Sequence, residues 1–259
     1  YDGIKIFIIL FDALSDAVKI LPTLLKHEKL VCFQEHVAVE NILSQIANLN
    51  EINTFALQHA ICIYDETGSY ESRYPINAYL NSVSKNILVW GNYNRDIFKK
   101  HTDAKIFIIG KASLPEENPI LEGATFIFEN KEYHSSNNKL LSLSYDLIDT
   151  GIPTSNWFKP GNILIDGKVT RDGPLRKIVV GSNSSMLVEL GYLGFNVFVI
   201  DESNIKNKLP KNLIVSDIDT LLKNSKSIEN YQYHIWKNFI ECTGEECVKR
   251  YKNILFKNH

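Results

Sequence analysis

Residues 178–200, IVVGSNSSMLVELGYLGFNVFVI, constrain what this chain can fold into more than any other stretch. Ile178, Val179 and Val180 form a short β-branched run, as a strand buried on both faces of a parallel sheet should. Gly181 permits a turn that a Cβ would hinder. Ser182, Asn183, Ser184 and Ser185 supply small polar side chains, and a serine here suits a helix N-cap. Met186, Leu187, Leu190 and Leu193 recur at helical spacing, Gly191 thins that helix, and Gly194 suits its C-terminal stop. Residues 195–200 read as a second apolar strand, closed by Asp201-Glu202. Strand, helix and strand in so short a span require a crossover connection, and so a parallel pair.

In open parallel sheets ligands bind outside the carboxyl ends of the strands, which is where this turn belongs. Backbone N–H groups at a helix start attract anions, phosphate above all, and serine hydroxyls add donors. Gly181, Ser182, Ser184 and Ser185 are therefore candidate phosphate-binding residues. Glu189, one turn on and on the same face as Ser185, is a candidate acceptor for ribose hydroxyls. The competing reading makes the turn no more than a well-capped helix start.

The same rhythm runs through the chain. Strands are expected at 4–11, 29–33, 54–57, 87–90, 105–109, 125–128, 154–158 and 213–215. Helices are expected at 13–27, capped by Asp12 and disturbed by Pro22, and at 40–47, 94–100 and 136–149. A further helix follows Ser216 or Asp217, and the chain from 227 onward is helical with a break near Thr243-Gly244. Its aromatics, Tyr231, Trp236, Phe239, Tyr251 and Phe256, read as core and interdomain packing. Residues 60–79, without clear period, read as a long loop. Alternating strands and helices give an α/β fold with parallel sheets. Two blocks split near 82–86 suggest two Rossmann-like domains facing across a cleft, 1–82 and 83–259. The first is short or truncated, and the last helix is a candidate to pack back on it.

The 259 residues hold 44% hydrophobic side chains and a formal charge of -2. Acids and bases are interspersed, which argues against a nucleic-acid partner recruited by a basic surface. Cys32, Cys62, Cys242 and Cys247 form no zinc-type pair, so reduced structural thiols in the cytoplasm are expected. No apolar run reaches the ~20 residues of a membrane span, and the start, at Tyr1 rather than methionine, lacks the features of a signal peptide. Peripheral association with the inner membrane face and self-association both stay open.

Four strand ends carry chemistry: Gln58-His59, Gly110-Lys111, residues 159–162, and the turn after Val180. His59 suits a general base near neutral pH, against the plainer role of a structural hydrogen-bonding histidine. Lys111 and Lys159 suit a diphosphate, against the plainer role of solvated surface lysines. No metal site is expected: Asp217 and Asp219 fall at a helix start and read as capping. The absence of a P-loop, a GxGxxG fingerprint and a nucleophile elbow weighs against NTPases, nicotinamide dehydrogenases and elbow-type hydrolases.

The segments TFALQHA, ILVWGNYNRDIFKK, KIFIIGKASLP and VVGSNSSMLVELGYLGFNVFVI, spanning roughly residues 53–200, resemble the GT-B glycosyltransferases of bacterial surface polysaccharide synthesis, and more distantly the UDP-GlcNAc 2-epimerases of the same fold. The resemblance implies that Gln58-His59-Ala60 stands where the family has Gln-His-Gly facing the cleft. It implies that Trp90-Gly91 and Gly110-Lys111 open the second domain, and that Gly181, Ser184, Ser185 and Glu189 hold the donor's phosphate and ribose. Lys159-Pro160 departs from the family's His-Pro. The implied activity is metal-independent transfer of a sugar from a nucleotide-sugar donor, with no other cofactor, to a glycan or lipid-linked acceptor in capsule or surface polysaccharide synthesis. His59 and Gln58 would serve the acceptor, and Gly110, Lys111, Lys159, Gly181, Ser182, Ser184, Ser185 and Glu189 the donor. An epimerase and a non-catalytic subunit of the same fold stay open as alternatives.

Overall fold

The structure, a computed structural model, describes residues 2–33, 35, 38–61, 82–114, 124–128, 134–150, 154–158, 178–203, 205–227 and 233–256. It is α/β with two all-parallel sheets. Among the described residues, one compact unit gathers those up to 61, 82–112 and 241–256, and a second gathers 113–240.

In the first unit the sheet runs β1 (Lys29–Cys32), β2 (Asn53–Leu57), β3 (Asn86–Val89), β4 (Lys105–Ile108), in that spatial order. Alternation along the strands sorts the core. Ala56, Ile87 and Val89 pack with Phe98 of α3 (Asn92–Phe98). The intervening Phe55 and Leu88 pack instead with Tyr251, Ile254 and Leu255 of α8 (Gly244–Phe256). Two helices, one from the far end of the sequence, thus cover opposite faces of β2 and β3. The last helix therefore lies in the first unit. The break expected at 82–86 falls between β2 and β3, which are hydrogen-bonded neighbours. Trp90, Gly91, Gly110 and Lys111, expected to open the second domain, instead follow β3 and β4 of the first sheet.

The N-terminal expectation is also corrected. Residues 4–11 are not a strand but part of α1 (Asp2–Leu24), so Asp12 lies inside a helix rather than capping one. Short apolar runs do not separate strand from helix by periodicity. What decides here is the continuation, in which Ala17 and Leu24 pack against Leu43 and Ala47 of α2 (Ala38–Leu49). Pro22 is accommodated in the last turn of α1.

The second sheet has the order β6-β5-β7-β8-β9, from β5 (Ala124–Phe128), β6 (Thr154–Phe158), β7 (Ile178–Gly181), β8 (Asn196–Ile200) and β9 (Ile214–Val215). From β5 the chain passes through α4 (His134–Asp149) outward to β6. It then returns to the other side of β5 as β7 and proceeds through α5 (Ser185–Tyr192) the opposite way to β8. Right-handed crossovers in opposite directions put α4 and α5 on opposite faces. Accordingly α4 packs with α6 (Ile218–Ser227), whereas α5 packs with α7 (Tyr233–Lys237). Trp236 and Phe239 are buried core residues as expected, but Phe256 is exposed.

The α5–α7 contact explains Gly191. A Cβ there would come within 2.3 Å of the Trp236 indole, and Trp236 is itself only 2% exposed. The glycine allows a large ring to lie directly on a helix backbone. Gly191→Ala is expected to cost about 1–3 kcal/mol by overpacking. A lower urea midpoint at unchanged m-value would show it, and an unchanged midpoint would mean that Trp236 has room to move.

Candidate functional site

The reversal of strand order in the second sheet lies between β5 and β7. Flanking crossovers diverge to opposite faces there, and the crevice left at the carboxyl ends is where open α/β sheets take their ligands. The turn after β7 stands at that point. Gly181 ends the strand, and a Cβ on it would come within 2.7 Å of Leu187 Cδ2. Its absence lets α5 begin close against the strand end. Ser184 is the N-cap, extended at φ -74° and ψ 135°, and its hydroxyl accepts from the Met186 N–H at 3.3 Å. Ser185 is half-buried, while Glu189 on the next turn is buried at 8% exposure.

The turn is tied to the neighbouring strand end. Ser203, beyond β8 and fully buried, donates its hydroxyl to the Ser182 carbonyl at 2.7 Å and stands 3.1 Å from Asn183 Oδ1. Ser182 itself is fully buried, and its Oγ has no hydrogen-bond partner among the described residues. An unpaired buried hydroxyl costs about 1–3 kcal/mol, so its presence at this turn calls for an explanation. Helix-start dipole, serine hydroxyls and an orphaned Oγ together suit an anion.

No protein-family model and no curated protein matches this chain.

The other candidates lie in the first unit. Gln58 follows β2, and its side-chain amide is engaged on both sides. Nε2 donates to Asn94 Oδ1 at 2.6 Å and to the Ala60 carbonyl at 3.0 Å, while Oε1 accepts from the Trp90 N–H at 2.7 Å. Trp90 Nε1 in turn donates to the Gln58 carbonyl at 2.8 Å. Both amide protons and one acceptor site of Gln58 are thus committed, and its observed work is to latch the end of β2 to β3 and α3. Lys111 joins this group with its Nζ 5.2 Å from the centre of the Trp90 ring. Gly110, at φ +86°, lets the returning segment 241–243 approach: a Cβ would come within 2.2 Å of the Cys242 carbonyl oxygen, which accepts from the Lys111 N–H at 2.9 Å.

His59 packs its ring against Phe33, centroids 5.6 Å apart. Both line a cavity of about 30 Å³ with Glu35, Gln58 and Ser82. That is room for a water or two, since one needs about 10–15 Å³. Glu35 is 4% exposed and accepts from Ser84 Oγ at 2.6 Å and from Ser82 Oγ. The sequence reading missed Glu35 and Ser203. Each follows a strand by three residues, and that position was the one available signal.

The structure therefore brings Gly181, Ser182, Ser184, Ser185 and Glu189 together at one strand end. It brings Gln58, His59, Gly110 and Lys111 to the ends of β2 and β4 in the other unit. Lys159, like Cys62 and most of the loop read at 60–79, lies outside the described residues. Among the described residues no three His, Cys, Asp or Glu side chains gather as a metal site. Cys32, Cys242 and Cys247 are free and buried. Burial pushes the Cys32 thiol up to about 11 and Cys247 to about 12, which marks them as unreactive.

Asp217 caps α6 by accepting from the Thr220 N–H at 2.7 Å. Hydrogen bonds from Ser216 and then from the Thr220 backbone lower its carboxyl from 3.8 to about 2. A depressed folded value means that the cap's contribution is complete above pH 3.8 and is lost as pH falls through about 2. An NMR titration of the Asp217 carboxyl should find that low midpoint; one near 3.8 would mean the cap does not form in solution. Replacing Gln58 with leucine should take the acceptor from the buried Trp90 N–H, at about 1–3 kcal/mol for a buried group left unpaired. Denaturant unfolding would register that loss, and an unaltered midpoint would refute the latch.

Proposed function

We propose that this chain is a glycosyltransferase of GT-B layout that moves a sugar from a nucleotide-sugar donor to a glycan or lipid-linked acceptor in surface polysaccharide synthesis. The observation that carries the reading is the Gly181 turn at the strand-order reversal, with the unpaired Ser182 hydroxyl inside it. A departing nucleoside diphosphate is the main charge to develop in such a transfer, and preorganised donors that meet it lower the barrier. Ser182, Ser184 and Ser185 supply hydroxyls there, the start of α5 supplies its dipole, and Glu189 receives the ribose. His59 would take the acceptor proton, held beside Phe33 and the Gln58 latch. Lys159 would add charge to the diphosphate. The same proposal would put the work in the cytoplasm or at the inner membrane face.

A second reading, a non-catalytic subunit of the same fold, draws on two observations. The Gln58 amide is committed to Asn94, Ala60 and Trp90, and the described residues beside His59 enclose only about 30 Å³. Thermal unfolding with UDP, CMP, GDP, CDP and their sugar conjugates separates the two. A ligand that binds only the folded state raises Tm, by about 2.7 kcal/mol of stabilisation at one hundred times Kd. A rise with one nucleotide family supports the transferase; no rise with any overturns it in favour of the subunit. Ser182→Ala sharpens the test, because its two effects have opposite signs. Removing an unpaired hydroxyl should leave the free protein equally or more stable while weakening nucleoside diphosphate binding about tenfold, or ~1.4 kcal/mol. Unchanged binding would remove Ser182 from the site.

A further inference from the structure

Ser203 belongs to no strand or helix and was not among the residues expected to bind anything, yet it is fully buried and reaches across 21 positions of sequence to the Gly181 turn. Its own place is fixed independently. Its N–H donates to the Ile200 carbonyl at 2.9 Å, and its Oγ accepts from the Ile205 N–H at 3.4 Å. The bond thus ties the loop after β8 to the turn after β7.

What is held is a peptide dipole. In a trans peptide the carbonyl and the following N–H point to opposite sides. The 2.7 Å bond to Ser203 keeps the Ser182 carbonyl oxygen on Ser203. The positive end of the same peptide, at Asn183, is thereby turned to the other side. A flip of this peptide would exchange the two ends and set a carbonyl oxygen where an anion is to be received. Helix-start anion sites work by aiming several amide dipoles one way, so one reversed peptide opposes the rest by adding a repelling oxygen. Ser182, whose Oγ is unpaired and enclosed, sits on this same peptide.

We propose that Ser203 is the positioning residue of a diphosphate site at the Gly181 turn, setting the 182–183 peptide so that its negative end faces away from the bound phosphoryl groups. This rests on the transferase reading only in taking the turn as a phosphate site. Ser203 acts through the turn and need not touch the ligand.

The test uses the full chain and inorganic pyrophosphate as the probe, with affinity measured by calorimetry below the melting temperature of each variant. Ser203→Ala removes the hydroxyl. Ser203→Cys keeps nearly the same volume with a poor donor, and serves if the alanine variant does not fold. In wild type, pyrophosphate should shift the Asn183 amide resonance. Either folded variant should bind at least tenfold more weakly and lose that shift, whereas affinity for a nucleoside without phosphate stays unchanged, an outcome that a generally loosened fold would not produce. A loss of threefold or less in a folded variant, with the wild-type protein binding, overturns the role of Ser203 alone. Failure of the wild-type protein to bind pyrophosphate overturns the phosphate site itself, and this inference with it.

Discussion

Two strands that run parallel side by side cannot be joined by a tight turn. Every connection in both sheets of this protein has to return along the outside, and that requirement sets where polar chemistry can collect. The strand interiors are apolar on both faces: Ile87, Leu88 and Val89 in one sheet, and Val179, Val180, Phe198 and Val199 in the other, are all nearly inaccessible. Polar groups are pushed to the strand ends. There the two sheets part company. The first is wound in one direction, β1 to β4, and its described strands contain no reversal; the second reverses between β5 and β7. A one-way sheet leaves its strand ends lined up beneath successive loops. A reversed one opens a crevice between diverging crossovers.

That difference shows in how each unit uses its strand-end polar residues. In the first unit they satisfy one another. Gln58 spans Trp90, Ala60 and Asn94, Lys111 stacks on Trp90, and the Lys111 N–H is taken by Cys242. Such a network replaces the strand pairing that ends at Leu57 and Val89, and it accounts for glutamine and tryptophan at those positions without any ligand. In the second unit the corresponding turn is anchored from one side by Ser203 and capped by Ser184, and one hydroxyl is left over. Satisfied networks stabilise and specify; a leftover group is where function is to be sought.

Much of this was legible in the chain because the deciding interactions are local. The β-branched run at 178–180, the serine cap and Gly194 gave the strand, helix start and helix stop of the central unit, and Gly194 does take φ +99°. Most other strands fell within a residue or two of where the pattern put them. What was not legible depends on contacts distant in sequence. Residues 4–11 carry strand-like side chains but fold as helix, within an α1 that α2 covers. Nothing near residue 86 shows that β3 pairs with β2, or that α8 returns more than a hundred residues later to cover Phe55 and Leu88. Gly191 looked like a weak spot in a helix, and its reason lies at Trp236.

The order of strands in the second sheet belongs to the same class of information, and it bears most on function. Local pattern places the Gly181 turn after a strand and before a helix, a description that fits a mere capped helix equally well. Only the pairing of β7 with β5 rather than β6 puts that strand end at the reversal of strand order, where open α/β sheets take their ligands. The Ser182 hydroxyl, without a partner among the described residues, is why we propose a ligand site rather than a bare capped turn. A capped turn with no ligand gains nothing from burying an unpaired oxygen, and alanine would fill the same space without the cost of about 1–3 kcal/mol. A turn that must receive an anion has a use for that oxygen, and local destabilisation of this kind is characteristic of sites kept for function rather than for the fold.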